Sequence, residues 1–175
     1  MIKTITILFA ILIAAVLIYA ATRPDSFRIE RSATIKAAPE KVFPLINDFH
    51  QWEAWSPWEK IDPGLKRTYE GAASGKGAVY TWNGNKDVGA GRMEIVESTP
   101  ASKIVLKLDF TAPFAANNAV EFILERQGET TRVTQAMYGP SPFISKLMGL
   151  FFSIDKMVGD KYEQGLASLK VIAEK

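Results

Sequence analysis

Residues 4–22 are a run of 19 uncharged side chains, mostly Ile, Leu, Ala and Val, bracketed by Lys3 and by Arg23-Pro24. No other feature constrains the chain as strongly. As a helix the run is about 28 Å long, close to the hydrocarbon thickness of a bilayer. Pro24 would stop it. It has no polar face, which argues against a core helix of a soluble protein. A cleaved signal sequence has a shorter apolar region, about 7–15 residues, ending in a small-x-small site. Here cleavage after Ala20 or Ala21 would place Ile18 or Tyr19 at the −3 position. The expectation is a single-pass cell-membrane anchor over 1–24 and a separate domain over 25–175. Lys3 and the amino terminus face Arg23, Arg28, Arg31 and Lys36 across the run. That count leans towards a cytoplasmic body but does not decide the side.

The anchor also explains the charge balance. The chain has 21 basic and 19 acidic residues. Lys3 and Arg23 are the only charged residues of 1–24, so the body is formally neutral and carries no electrostatic footprint for nucleic acid. There is no cysteine and one histidine, His50. Disulfides, thiol nucleophiles and thiolate metal sites are therefore excluded. The sequence does not set an oligomeric state.

From Phe27 the pattern alternates. Phe27, Ile29, Arg31, Ala33 and Ile35 oppose Arg28, Glu30, Ser32, Thr34 and Lys36, which predicts a strand. Ala38-Pro39-Glu40 opens a helix with Pro39 near its first position, and Pro44 keeps that helix short or bent. Trp52, Trp55 and Trp58 follow, suited to a core corner or to a membrane interface. Six more strands are predicted at 65–71, 77–84, 88–98, 102–111, 118–127 and 130–138, joined by Gly- and Asn-rich turns. Strands this close in sequence form an antiparallel meander. Residues 143–152 are strongly apolar, placed to cap a cavity, touch the bilayer or simply pack. A helix over 153–173 closes the chain, with Ile154, Val158, Tyr162, Leu166 and Leu169 at helical spacing. The economical packing is an α+β fold in which a curved seven-stranded antiparallel sheet grips the last helix.

Phe27-Arg28-Ile29-Glu30-Arg31-Ser32 with Ala38-Pro39-Glu40-Lys41-Val42-Phe43 resembles the opening of the START-like (SRPBCC) superfamily. Trp55-Ser56-Pro57-Trp58, Tyr80-x-Trp82-x-Gly84-Asn85, Val88-Gly89-x-Gly91-x-Met93 and Gly165-Leu166-x-x-Leu169-Lys170 are similar to its bacterial polyketide cyclase/dehydrase-type branch. The resemblance covers about 27–172. It implies a helix-grip fold with a cavity between sheet and C-terminal helix, in a family whose members include lipid carriers, small-molecule binders and some cyclases. Similar sequences often carry Trp where this chain has Gln135, so a more polar cavity is implied there.

The candidate site follows from strand faces. Alternation puts Tyr69, Tyr80, Trp82, Met93, Ile95, Leu106, Leu108, Phe110, Val120, Phe122, Leu124, Val133, Gln135 and Met137 on one face. Of these, Tyr69, Tyr80, Trp82, Met93, Leu108, Phe110, Phe122, Gln135 and Met137 are the ligand-binding candidates, with Met157 from the closing helix. Aromatic and methionine side chains with few polar tips suit an apolar small molecule or lipid fixed by one or two hydrogen bonds. The same residues would also make a filled core. Gln135 either orients a ligand or bonds a neighbouring hydroxyl such as Tyr80 or Tyr69. An enzyme of cyclase or lyase type would use Tyr80, Gln135 or Asp155 for proton transfer, and a third possibility is a ligand-free module of a membrane complex. Gly71–Gly77 lacks the spacing and following helix of a phosphate loop, and Gly89-x-Gly91 lacks those of a dinucleotide site. Without carboxylates at ligand spacing, no metal or cofactor is expected. His50 reads as a loop histidine, and Gly159 and Gly165 as places of close helix–sheet packing.

Overall fold

In the computed structural model, which describes residues 2–175, the first element is α1 (Ile2–Ala21), exposed along almost its whole length. Met1 lies outside the described residues. A short link then leads into β1 (Ser26–Ile35). Next come α2 (Pro39–Asn47), a 3-10 turn at Phe49–Gln51, the single-turn α3 (Trp52–Trp55) and a second 3-10 turn at Pro57–Lys60. Pro39 occupies the start of α2, where its missing N–H costs nothing, and Glu40 lies in the first turn. The Trp52 and Trp55 indoles donate to the carbonyls of Ile46 and Leu45, each at 2.9 Å. Those bonds fold the tryptophan corner back over α2 and satisfy the buried N–H groups.

The meander follows as β2 (Lys66–Gly71), β3 (Ala78–Asn83), β4 (Ala90–Thr99), β5 (Lys103–Ala112), β6 (Ala116–Gln127) and β7 (Thr130–Pro140). The order in the sheet is β1-β7-β6-β5-β4-β3-β2, every pair antiparallel. Two irregularities are invisible to simple alternation. The β4–β5 register shifts between Ala90 and Gly91 and again between Ile95 and Glu97, and an extra residue at such a place bends its strand. The short α4 (Phe143–Met148) leads to α5 (Ile154–Ala173), whose N-cap Ser153 accepts from the Lys156 amide at 3.2 Å. The fold is the expected helix grip: a curved seven-stranded antiparallel sheet around a long C-terminal helix, with an apolar N-terminal helix.

Side chains of α5 that are buried include Tyr162, Leu166, Leu169 and Ala173. They pack on Ile95, Ile104, Leu106, Phe122, Leu124 and Val133 in one core. At about 0.8 kcal/mol per buried methylene, this contact is the main reason the sheet holds the helix. Gly159 sets how close α5 comes to β1, while Gly165, expected to pack on the sheet, instead faces the tryptophan corner. A Cβ at Gly159 would overlap the Arg31 guanidinium, and one at Gly165 would sit 3.1 Å from Pro57 Cδ. Close packing offsets the helix propensity lost at each glycine.

Candidate functional site

Between sheet and α5 lies a cavity of about 140 Å³. An engineered dry cavity of about 150 Å³ accepts benzene, so this space suits one ring or a short branched chain. Tyr80 and Trp82 on β3, Met93 on β4, Leu108 and Phe110 on β5, Val120 on β6 and Gln135 and Met137 on β7 line it from the sheet. The tryptophan corner contributes Trp52, Trp55 and Trp58, and α5 contributes Val158, Tyr162 and Gly165.

Three candidates from the sequence fall elsewhere. Phe122 is fully buried, with its ring 6.0 Å from Trp52 and 6.2 Å from Trp55. It shares the inward face but fills the core and does not line the cavity. Tyr69 is on the outer strand of the sheet, stacked on His50 at 4.1 Å and 5.4 Å from Tyr80. It braces Tyr80 from behind. Met157 is 61% exposed, because helical spacing places it on the flank of α5 turned from the sheet. Asp155 is also removed from the cavity. Its carboxylate takes the Arg31 guanidinium at 3.0 Å, and that pairing holds its pKa below the usual carboxylate value.

The polar end of the cavity is built on Glu59, a residue that sequence reasoning passed over. Glu59 is only 8% exposed. The Tyr80 hydroxyl donates to its Oε1 at 2.6 Å, and Arg67 Nε donates to its Oε2 at 2.6 Å. Arg67 also reaches the Glu59 carbonyl at 3.2 Å. A buried carboxylate needs this much company, since an unpaired one would be strongly disfavoured. The partnership tunes its neighbours. Arg67 is raised by its bond to Glu59. Tyr80 is raised well above the ordinary phenol value, first by burial and then by donating to Glu59. At neutral pH Tyr80 is thus a firmly held neutral hydroxyl. Its ring is locked as well, against Phe49 at 5.7 Å and Trp82 at 6.1 Å.

Gln135 sits on the shared face with Val133 and Met137, 5% exposed. Its Oε1 has no hydrogen-bond partner. Neither Tyr80 nor Tyr69 is bonded to it; the Tyr80 hydroxyl is turned to Glu59. The tyrosine nearest in chemistry is Tyr162 of α5, raised by burial, with the Gln135 side chain acting in the opposite direction. His50, expected in a loop, lies half-exposed in the 3-10 turn Phe49–Gln51, with its Nδ1 2.8 Å from Asp48 Oδ1. Among the described residues no group of His, Asp or Glu is placed to hold a metal.

No functionally curated protein is similar in sequence to the chain. Solved structures resemble it in fold. A Chromobacterium violaceum protein superposes with a TM-score of 0.60 at 16% identity, over 87% of this chain and 99% of that one. Ginseng (Panax ginseng) major latex-like protein 151 does so with a TM-score of 0.61 at 15% identity, over 87% and 100%. DynU16, in the dynemicin biosynthetic locus, aligns at 14% identity and a TM-score of 0.58, over 87% of this chain but 48% of its own length. Residues 26–174 match the family described as polyketide cyclase / dehydrase and lipid transport. With the helix grip and its seven-stranded sheet, this match places the chain in that family of the START-like (SRPBCC) superfamily.

Proposed function

We propose that this chain is a membrane-anchored binding protein for an apolar small molecule or lipid. Residues 1–24 form the single-pass anchor and 25–175 the binding domain. The observation that carries the reading is the cavity: a space of about 140 Å³ walled by Tyr80, Trp82, Met93, Leu108, Phe110 and Met137. Its size selects one ring, or the end of a longer chain, and its walls favour an apolar group. Gln135 and the Tyr80–Glu59 pair supply the hydrogen bonds that orient a polar tip. The family's description, which includes lipid transport, agrees with this class of ligand.

Native mass spectrometry of the detergent-purified full chain is the direct test. The expected result is a non-covalent adduct of apolar character, lost on denaturation. An empty chain that also fails to quench its tryptophans with phenol or a short fatty acid would overturn the reading. The anchor is tested separately. The full chain should resist carbonate and high-salt extraction, and a chain starting at Asp25 should be soluble and folded. A mature N-terminus near residue 21 would replace the anchor by secretion.

One observation favours a catalytic reading as the alternative, with cyclase or lyase chemistry on a hydrophobic substrate. Tyr80 is a neutral proton donor beside a buried carboxylate, inside an apolar pocket. Proton transfer at Tyr80 would separate from binding in Tyr80→Phe, which would lose turnover while still retaining ligand.

A further inference from the structure

The strand register defines two ends of the body. Ser26 pairs with Pro140, Phe110 with Ala116, and Asn83 with Ala90. The start of β1, the end of β7, the β3–β4 turn and the β5–β6 loop are therefore all at one end. α5 begins there too and runs along β1, from Asp155 beside Arg31 to Glu174, which accepts from the Lys36 amide at 2.6 Å. α1 ends at Ala21, only four residues before β1. Such a link reaches no further than about 18 Å.

This end differs from the rest of the surface. Phe114, Phe143, Ile144, Phe151, Phe152 and Met157 are between 46% and 74% exposed. Outside α1, all of the large exposed apolar side chains among the described residues lie in this region except Val96 and Val171. Single exposed apolar residues are ordinary, but a cluster confined to one end is not. Residues 141–154 hold one charge, Lys146. Its side chain is 8% exposed and its Nζ is 2.5 Å from the Asp25 carboxylate in the link. α4 also lies against α1. Within the otherwise exposed α1, Val16 is half-buried and Ala20 is fully buried.

The cavity belongs to the same end. Trp82, Phe110 and Met137 lie within a few residues of the strand ends there, and Val158 is in the second turn of α5.

We propose that this end of the body lies in the interfacial layer of the bilayer that α1 crosses. Residues 143–157 and Phe114 sit at the boundary of headgroups and acyl chains, and the cavity exchanges its ligand with the lipid phase. The inference rests on the anchor reading. The occupant is the bilayer and not a second copy, because α4 touches the last turns of α1. It is therefore already at the depth where that helix leaves the hydrocarbon.

The chain has no cysteine, so single cysteines can be labelled cleanly in the full chain. Phe151→Cys, Phe114→Cys, Ile11→Cys in α1 and Lys76→Cys at the far end would each carry a nitrobenzoxadiazole probe. The variants are reconstituted in phosphatidylcholine vesicles with and without acyl-chain nitroxide lipid. Probes at 151 and 114 should lose at least half as much emission to the nitroxide as the probe at 11. The probe at 76 should lose none. Quenching at 11 with 151 behaving like 76 overturns this inference and leaves the anchor intact. Absence of quenching at 11 overturns the anchor, and the inference with it. A blue shift at 151 that depends on protein density, without nitroxide quenching, assigns the face to a second copy and also overturns the proposal.

Discussion

The two halves of the sheet carry the same alternation and make opposite interiors. In the half far from α1, Ile104, Leu106, Phe122, Leu124 and Val133 meet Leu166 and Leu169, and the space is filled. In the half near α1, Trp82, Met93, Leu108, Phe110 and Met137 face the same helix across a cavity. The difference lies in what can collapse. Aliphatic side chains settle into one another, and native interiors reach crystal-like density. Aromatic rings fixed at their polar ends cannot follow. Tyr80 is held by Glu59, and Trp52 and Trp55 by the carbonyls of α2. Rigid walls keep open a space that free side chains would close.

The largest effects should separate the halves most sharply. Phe122→Ala should destabilise the body by about 4 kcal/mol, because it empties the filled half. Leu106 and Leu108 offer a more exact comparison, two residues apart on the same face of β5. Leu106→Ala should cost about 3 kcal/mol, and Leu108→Ala about 2 kcal/mol or less, since part of its surroundings is already empty. Chemical denaturation of each variant measures this. Equal losses would mean that the cavity half is packed as tightly as the other. Leu108→Ala should also shift ligand preference towards larger apolar probes, which Leu106→Ala should not.

The polar wall should answer next. Tyr80→Phe leaves Glu59 Oε1 without its donor and should cost about 2 kcal/mol. The effect should be weaker in a Glu59→Gln background, where no carboxylate is left unpaired, and a double-mutant cycle reads the coupling. The same wall gives a pH dependence. Tyr80 and Tyr162 are both raised above the ordinary phenol value by burial. Unfolded tyrosines ionise near pH 10. Above about that pH the unfolded chain loses protons that the native chain keeps, so stability is intact below it and falls as pH rises. In a titration of phenolate absorbance, at least two of the five tyrosines should stay neutral until the protein unfolds. Tyr80→Phe should remove one of them.

Much of this architecture was legible in the sequence. The uncharged run gave α1, period-two alternation gave the strands and their inward face, and Pro39 marked the start of α2. The cavity wall was legible where it followed a strand, as at Tyr80, Trp82, Met93, Leu108, Phe110, Gln135 and Met137. It was not legible where depth matters. Alternation assigns a face but not a position between filled core and cavity, so Phe122 was grouped with residues it only resembles in direction. Tyr69 lies outside the wall for a related reason, since on the outer strand its ring is covered by His50 and not by α5. Met157 was legible as an outward residue, since helical spacing sets it opposite the buried Leu166. Glu59 carried no signal at all. It lies in a 3-10 turn with no periodicity, and its partners Arg67 and Tyr80 are 8 and 21 residues away. An acid beside the tryptophans, one of two in that stretch, with an arginine on the next strand, is the nearest thing to a warning.

The smallest expected change in stability is the most informative about the site. Gln135 is buried among apolar side chains, and its Oε1 is unpaired. An unmet buried acceptor costs about 1–3 kcal/mol. Leu has nearly the volume of Gln and no such debt. Gln135→Leu should therefore leave the empty protein as stable as before, or slightly more so. Packing alone would favour the leucine, and the amide needs another reason to be there. The nearest is a ligand's hydroxyl or N–H directed at Oε1. In that case the variant should bind an apolar probe carrying one donor, such as phenol, about tenfold more weakly, the equivalent of one hydrogen bond of about 1.4 kcal/mol. Toluene, which has the ring without the donor, should bind the two proteins alike. Thermal unfolding with and without each probe gives both quantities from one set of samples. A variant that melts well below the parent while binding phenol and toluene in the parent's ratio would make Gln135 a structural strut. Recognition of a polar tip would then fall to the Tyr80–Glu59 pair alone.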